Sequence, residues 1–393
     1  MKVVCNAVAA KLGGAANYLR CVAHELAIAG PEHEFIWLVP PEYEARGMAP
    51  NLRFHTSAAG HQRWWKRTWF DQVELRRLLY RERADVLFST ANFAMLECPV
   101  PQVLLVRNAL YYSADYWRNI VLRKSWRSRL DLRIRRYWNC VSVRVADVVM
   151  APTNAMMKEV RSSVSFPEEK ALVNPYGVQN GLQPARFQDE SDSKDGKPWI
   201  LLYSSLYGEH KNLSTLFRAL IHLAAWGVKF RFVTPADPSQ EDARWTCTWR
   251  EDARLAAEPC LRDSILFTGR LAPEQLAELY RHADVFVQPS SIESFGHPLA
   301  EAMAAGLPIV AADSAVNREL AEHGAVYFPP HDAVEFATQI RLVLENATLR
   351  ARLRAVALQR SRFFSWRRHA HELLAVFDRL TGSPCRGRTG PVL

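Results

Sequence analysis

The sequence predicts an α/β protein of two doubly wound, Rossmann-like domains facing each other across a cleft. Three observations lead there. The chain has 393 residues, more than one ordinary core accommodates. Short apolar runs bounded by turn residues alternate with segments of helical periodicity, the pattern of a parallel sheet covered by helices. And the alternation is broken once, by a stretch rich in Pro, Gly, Asp and Ser between Asn174 and Pro198.

The elements follow in order. "KVVCNAVA" is the first strand, and "NYLRCVAHELAIAG" sets Leu19, Val22 and Leu26 at helical spacing with Gly30 as a stop. "EFIWLVP", "ADVLFST", "QVLLVRN" and "ADVVMAPT" are further strands, the last leading into the helix "AMMKEVRSS". After the break come "WILLYSSL", a helix from about Asn212 to Trp226, "KFRFVTP", "SILFTGR", the helix "PEQLAELYRHA", "DVFVQPS" and "LPIVAAD". A last helix spans Phe364 to Leu380. The expected domains are therefore 1–175, a linker 176–197, a second domain 198–362, and a C-terminal helix and tail 363–393.

Composition narrows the class. Charged residues make up 23% and apolar residues 49%, which is globular. No apolar run approaches the roughly eighteen residues of a membrane span. "MKVVCNAVAAKLGG" has the outline of a weak signal peptide, but Asn6 interrupts it and the strand reading is preferred. The seven cysteines form no Cys-x-x-Cys pair and no zinc-like cluster, so a reducing cytoplasm without structural disulfide or metal is expected.

The net charge of +9 is unevenly spread. Residues 115–136 hold eight basic side chains against Asp115 and Asp131. Residues 61–83 interleave Arg63, Lys66, Arg67, Arg76, Arg77, Arg81 and Arg83 with Trp64, Trp65, Trp69 and Phe70. Such segments fit an anionic membrane surface, where rings settle at the headgroups and cations meet phosphates. A nucleic acid or a plain solvated helix face over core aromatics are the alternatives. The membrane is the expected partner.

The most informative stretch is "PSSIESFGHPLAEAMAAGLPIVAAD", residues 289–313. In open α/β sheets ligands sit beyond the carboxyl ends of the strands, where strand order reverses. "DVFVQ" would be such a strand, with Glu293 in the loop over its end. Pro298 suits the first position of a helix and Gly306 its far cap, which puts Glu301 one turn in. Free N–H groups around Phe295, Gly296 and His297 would then receive a phosphate. An anion at a helix start flanked by two carboxylates suits a nucleotide sugar, which offers ribose, diphosphate and hexose. A surface glutamate plus a solvent-facing helical glutamate remains open from these residues alone.

The pattern resembles the retaining glycosyltransferases of the GT-B fold, family four, also called glycosyl transferases group 1. Their Glu-x7-Glu signature is matched here over more than twenty positions by "PSSIESFGHPLAEAMAAGLPIV". "LFTGRLAPEQLAELYRHADVFVQPS" and "NRELAEHGAVYFPPHDAVEFATQI" resemble the segments before and after it, and "FFSWRRHAHELLAVFDRL" the terminal helix that crosses back to the first domain. "APTNAMMKEV" and "NPYGVQN" resemble the end of the first domain, with Gln179 where an acid is usual. The resemblance covers 195–380 closely and the first half more loosely.

It implies an enzyme moving a sugar from a nucleotide diphosphate sugar to a glycan or lipid-linked acceptor. With the cysteine pattern and the basic, tryptophan-rich segments, that enzyme is expected in the cytoplasm, peripheral on the inner membrane face. Glu301 would bind ribose hydroxyls and Glu293 the transferred sugar, with Ser294 and the backbone of Phe295, Gly296 and His297 close by. Lys211 would sit on the diphosphate and offset charge on the leaving group. Gly13 and Gly14 match the glycine turn after the first strand; Gly269 and Arg270 complete the donor side. No cofactor is implied, and with a lysine on the diphosphate no divalent metal; no Asp-x-Asp occurs. Two departures stand out. The arginine usual five or six positions before the lysine is replaced by Ser205 and Leu206, so charge would come from Arg270 or His210. The histidine usual after a first-domain strand is replaced by Arg107 and Asn108, assigned to the acceptor side. These departures keep two alternatives in view, a GT-B binding protein with weakened turnover and a nucleotide-sugar epimerase. A phosphorylase lacks its pyridoxal lysine here, and a nucleic-acid binder leaves the two glutamates unexplained.

Overall fold

The computed structural model describes residues 1–11, 13–44, 49–178, 182, 196–240 and 246–382. Gln179 and most of the expected linker lie outside these residues. The described residues divide into two compact units. The first contains Met1–Tyr111, Arg133–Gly177 and the helix Trp366–Thr381; the second contains Tyr112–Leu132 and Val178–Phe364. Residues 112–132, from the first half of the sequence, thus pack as part of the second unit.

In the first unit, β1 (Lys2–Asn6), β2 (Glu34–Val39), β3 (Leu52–Thr56), β4 (Val86–Ser89), β5 (Gln102–Leu105), β6 (Val148–Ala151) and β7 (Ala171–Val173) form one parallel sheet. Its order is β3-β2-β1-β4-β5-β6-β7, so strand order reverses between β1 and β4. The central strands β4, β5 and β6 are buried throughout, as expected of a parallel sheet with both faces covered. One face packs Val4, Ile36, Leu38 and Leu87 against Leu75 and Leu79. The other receives the Trp366–Thr381 helix, capped by Ser365, whose hydroxyl accepts from the Arg368 N–H. Its Phe377 meets Phe88 of β4 at 5.8 Å, edge to face. Tyr18 and His369 are hydrogen-bonded at 2.9 Å, and His369 Nδ1 lies 3.1 Å from the Pro175 carbonyl. A donor to that carbonyl at Nδ1 leaves Nε2 to accept from the tyrosine. Burial pushes this imidazole down to about 4, so the neutral tautomer is the one held.

In the second unit, β8 (Trp199–Leu202), β9 (Phe230–Thr234), β10 (Ile265–Phe267), β11 (Val285–Gln288), β12 (Ile309–Ala312) and β13 (Ala325–Phe328) form a second parallel sheet. Its order, β10-β9-β8-β11-β12-β13, reverses between β8 and β11. Phe217, Phe232, Phe328 and Phe336 fill one side of this core, the last two stacked at 3.8 Å. Each such side chain contributes about 2 kcal/mol by leaving water, a large share of an ordinary folding margin of about 10 kcal/mol.

Two boundaries differ from the sequence expectation. β1 ends at Asn6, and the turn is made by Ala7 to Lys11; Gly13 and Gly14 instead open the helix Gly13–Ala29, with Gly13 at φ +59°. The helix expected to begin with Pro298 begins at His297, with Gly296 as its left-handed N-cap and Gly306 in the left-handed region beyond its end.

Candidate functional site

The second sheet's reversal point gathers the residues singled out by the sequence. β8 and β11 lie side by side, Leu201 opposite Val285. The loop after β8 runs through Tyr203, Ser204 and a short 3-10 turn, Glu209–Lys211. The loop after β11 runs from Pro289 to Gly296 and enters the helix His297–Ala304. Three contacts join the two loops across the gap. Tyr203 and Ser290 are 3.4 Å apart through their hydroxyls, the Asn212 amide donates to the Pro289 carbonyl at 3.2 Å, and Lys211 Nζ donates to Glu293 Oε1 at 2.7 Å. A fourth contact supports the β11 loop from the other side: the Asn317 amide donates to the carbonyls of Ser290 and Ala312.

Lys211 and Glu293 are therefore an ion pair, 14% and 10% exposed. Burial lowers the lysine, but the charge and hydrogen bond of Glu293, with a contribution from Tyr203, outweigh it, so the ammonium is held above its ordinary value. An ammonium has three donors, and Glu293 occupies one. The Gln288 amide also donates to Glu293 Oε1 at 3.3 Å.

Glu301 is 8% exposed, which excludes a solvent-facing helical glutamate. Its Oε2 accepts from the Tyr280 hydroxyl at 2.9 Å. Burial raises the carboxyl to about 7 and the tyrosine's hydrogen bond acts against that rise. Gly296, with φ +84°, turns the chain into the helix, and a Cβ there would meet Glu293 Cγ at 3.9 Å, so the left-handed backbone rather than space demands glycine. Phe295 is core: it is 1% exposed and packs edge to face on Phe364 at 5.5 Å. Its ring meets that of His297 at 5.2 Å. Ser294 is half-buried in the same loop.

The remaining sequence-derived residues are placed elsewhere. Gly269 has φ +66° and precedes exposed Arg270, after β10. Gly13, Gly14, Arg107 and Asn108 belong to the first unit, at the carboxyl ends of β1 and β5. The Asn92 side-chain oxygen accepts from the Arg107 and Asn108 N–H groups at 2.7 and 3.0 Å, and the Arg107 guanidinium lies over the Tyr18 ring. His210 does not supply the charge expected of it. Burial, then the neighbouring Lys211, push it down to about 3, so it is neutral at physiological pH. No cluster of three or more His, Cys, Asp or Glu side chains suited to a metal occurs among the described residues.

Three features escaped the sequence. Tyr280 shows as a tyrosine on the apolar stripe of the helix Pro273–His282, four residues after Leu276, and a buried tyrosine needs a polar partner. Glu209 binds Lys124 at 2.6 Å and Tyr116 at 2.7 Å; burial raises its carboxyl but these bonds prevail and lower it. Asp115 accepts from Ser291 at 3.2 Å and pairs with His331 at 3.6 Å. Through Glu209 and Ser291, the 115–124 segment grips both loops of the site.

Comparison with known proteins accords with this geometry. The model of "Glycosyltransferase Family 4" matches residues 12–180 and that of "Glycosyl transferases group 1" matches residues 185–360. A D-inositol 3-phosphate glycosyltransferase of Stackebrandtia nassauensis is 34% identical over 244 residues, 60% of this chain and 54% of that protein. The chain thus spans about half the length of the curated relatives it matches. Among solved structures, a sucrose-phosphate synthase from Thermosynechococcus elongatus superposes with a TM-score of 0.75 at 18% identity, over 98% of this chain and 100% of that one. HepE of Anabaena, in complex with UDP and glucose, gives 0.67 at 18% identity, over 96% and 98%. With two parallel sheets that each reverse order once and two family models that meet near residue 180, the chain belongs to the group 1 glycosyltransferases of the GT-B fold.

Proposed function

We propose that the chain is a retaining hexosyltransferase, moving a hexose from a nucleoside diphosphate sugar to a hydroxyl of a glycan or lipid-linked acceptor. The observation that carries this reading is the Lys211–Glu293 pair beside buried Glu301 at the reversal point of one sheet. Glu301 takes the ribose hydroxyls, Glu293 the hydroxyls of the hexose, and the two remaining ammonium donors of Lys211 the diphosphate. Ser294 and the backbone of Phe295, Gly296 and His297 line the sugar and phosphate. Gly13, Gly14, Gly269 and Arg270 complete the donor side, and Arg107 and Asn108 serve the acceptor. HepE, crystallised with UDP and glucose, supports a nucleoside diphosphate sugar as donor.

In the transfer, the acceptor oxygen bonds to the anomeric carbon as the bond from that carbon to the diphosphate oxygen breaks, on the same face of the sugar. The acceptor's proton passes to the leaving phosphate. Lys211 stabilises the charge gathering there, the service a divalent metal performs in other sites, so EDTA leaves transfer unchanged. Calorimetric titration with UDP, GDP, ADP and their common sugars tests the reading. Selective binding by one nucleotide sugar, lost in Glu301→Ala, supports it; no binding to any sinks it. The neutral His210, with Ser205 and Leu206 where an arginine is usual, favours one rival, a binding protein of weakened turnover, which sugar transfer to any acceptor excludes. Release of free nucleotide without transfer would favour an epimerase.

The acceptor is met at the inner, cytoplasmic face of a membrane. Supporting this, the helix Trp126–Val145 leaves Trp126 69%, Leu130 50% and Tyr137 65% exposed, with Arg127, Arg133 and Arg135 also exposed. That is a short apolar stripe flanked by cations, suited to an anionic lipid surface. Trp65 and Trp69 are exposed as well, beside Lys66. No helix of the described residues is long and apolar enough to cross a membrane. Flotation with vesicles of phosphatidylglycerol and phosphatidylcholine is expected to retain the protein at low salt and lose it in Trp126→Ser/Leu130→Ser. Equal recovery with neutral vesicles, or in the double variant, ends the membrane reading.

A further inference from the structure

Tyr280 lies on the helix leading into β11, without measurable exposure. Its hydroxyl is 2.9 Å from Glu301 Oε2, 2.6 Å from Ser204 Oγ and 3.2 Å from the Pro298 carbonyl. We infer that Tyr280 is a positioning residue, which orients the Glu301 carboxylate toward ligand hydroxyls and ties it to Ser204 in the β8 loop. This rests on the reading that Glu301 meets the vicinal hydroxyls of a nucleotide.

Counting protons gives the network a direction. A phenol has one hydrogen, and an ionised carboxylate can only accept. The Tyr280 hydrogen therefore goes to Glu301, with the Pro298 carbonyl a longer second acceptor. Ser204 must then donate its own hydrogen to the tyrosine oxygen. The chain runs from Ser204 through Tyr280 to Glu301, linking the loop after β8 to the helix after β11. Tyr280 uses Oε2 and leaves Oε1 to the ligand.

The ring itself is fixed by the core, where it packs on Phe286 of β11 at 6.1 Å. The hydroxyl is thus aimed by the sheet rather than by either loop. Charged groups on the neighbouring loops and helices have partners of their own. Lys211 and Glu293 hold each other on the two loops, while Arg318 and Arg360 on the helices packed against Glu301's own are paired with Asp313 and Glu322. His297 opens the same helix as Glu301.

Tyr280→Phe keeps the volume and removes only the hydroxyl. The first readout needs no ligand: the carboxyl titration of Glu301 by carbon-13 NMR of glutamate-labelled protein, assigned with Glu301→Gln. Loss of the donor is expected to move this titration upward by about half a pH unit or more. The second readout is the affinity for UDP, GDP and ADP between pH 6 and 8.5. It is expected to fall at every pH, and about threefold further at the acid end than at the alkaline end. Ser204→Ala, should the first variant not fold, is expected to shift the titration in the same direction by less. An unchanged titration in either folded variant overturns the inference, as does an equal loss of affinity at every pH. If the titration shifts but the wild-type protein binds no nucleotide, Tyr280 still positions Glu301 and the nucleotide reading is what has failed.

Discussion

The two sheets reverse strand order in the same way, yet their reversal points are used differently. At the first, between β1 and β4, the Asp71 carboxylate is consumed by its neighbours, while Asn6 Oδ1 and Ser89 Oγ are buried without a hydrogen-bond partner. Asp71 is 5% exposed, and its two oxygens accept from the Asn6 amide at 2.9 Å and from Arg67 Nε at 2.7 Å. Thr90, after β4, donates to the Asn6 carbonyl at 2.9 Å. At the second, between β8 and β11, Lys211 keeps donors in reserve and Glu301 keeps an oxygen. The shared topology sets where loops converge; what separates the two is that the charged groups of the second keep spare hydrogen-bonding capacity and the carboxylate of the first does not.

The sharpest way to break this contrast is to remove the ammonium. Lys211→Ala is expected to lower sugar transfer at least about a hundredfold, the usual effect of deleting one donor to a developing anion. It also strands Glu293, and leaving one charge of a buried pair alone costs about 3 kcal/mol. Lys211→Met with Glu293→Gln should regain much of the stability and none of the transfer. Thermal melts beside a transfer assay separate the two. Recovery of transfer in the double variant would show that the pair serves the fold alone.

A second test uses pH. Glu301 titrates near 7 in the folded protein against an ordinary 4.5, so between those values the folded state holds the extra proton. Stability then falls as pH rises through this window and is level above it. The span of the two values corresponds to about 3 kcal/mol. Comparison of urea midpoints from pH 5 to 8 with those of Glu301→Gln isolates the effect; equal slopes would mean that Glu301 is solvated.

Why one region was readable and the other was not follows from how far apart the partners lie. Glu293, Gly296 and Glu301 sit within one loop and one helix, so spacing and caps expose them. Tyr280 reaches Glu301 across 21 residues and Asn6 reaches Asp71 across 65, and only the folded sheet brings these together. β3 was missed because it is an edge strand whose "LRFHT" carries Arg53 and His55 and shows no apolar run. The first strand was read too long because Ala7, Val8 and Ala9 are apolar, though Ala7 and Val8 are buried in a turn rather than in the ladder. His210 was offered as a cation because its burial cannot be seen in sequence.

At the first reversal point, Asp71→Ala is expected to cost about 2 kcal/mol by leaving the Asn6 and Arg67 donors unsatisfied. Nucleotide affinity should stay within about twofold, since additivity holds for independent sites. Urea unfolding and calorimetry on one preparation check both halves. A large loss of affinity would show that the Asp71 cluster, and not only the backbone at Gly13 and Gly14, contributes to donor binding, and would erase the contrast.

The smallest expected effect is at Gly296. Alanine there meets no hard obstacle, since the nearest atoms to its Cβ would be Leu299 Cβ at 3.8 Å and Glu293 Cγ at 3.9 Å. The penalty is therefore conformational: holding an L-residue at φ +84° costs about 1 kcal/mol. If the protein accepts that strain, it loses stability and keeps its nucleotide affinity. If it relaxes the strain by moving φ, the turn into the helix shifts, and with it the loop that carries Glu293. Gly296→Ala with a nearly unchanged melting temperature but weakened binding would then show that the left-handed turn serves the ligand. The reverse outcome would assign Gly296 to the helix cap alone.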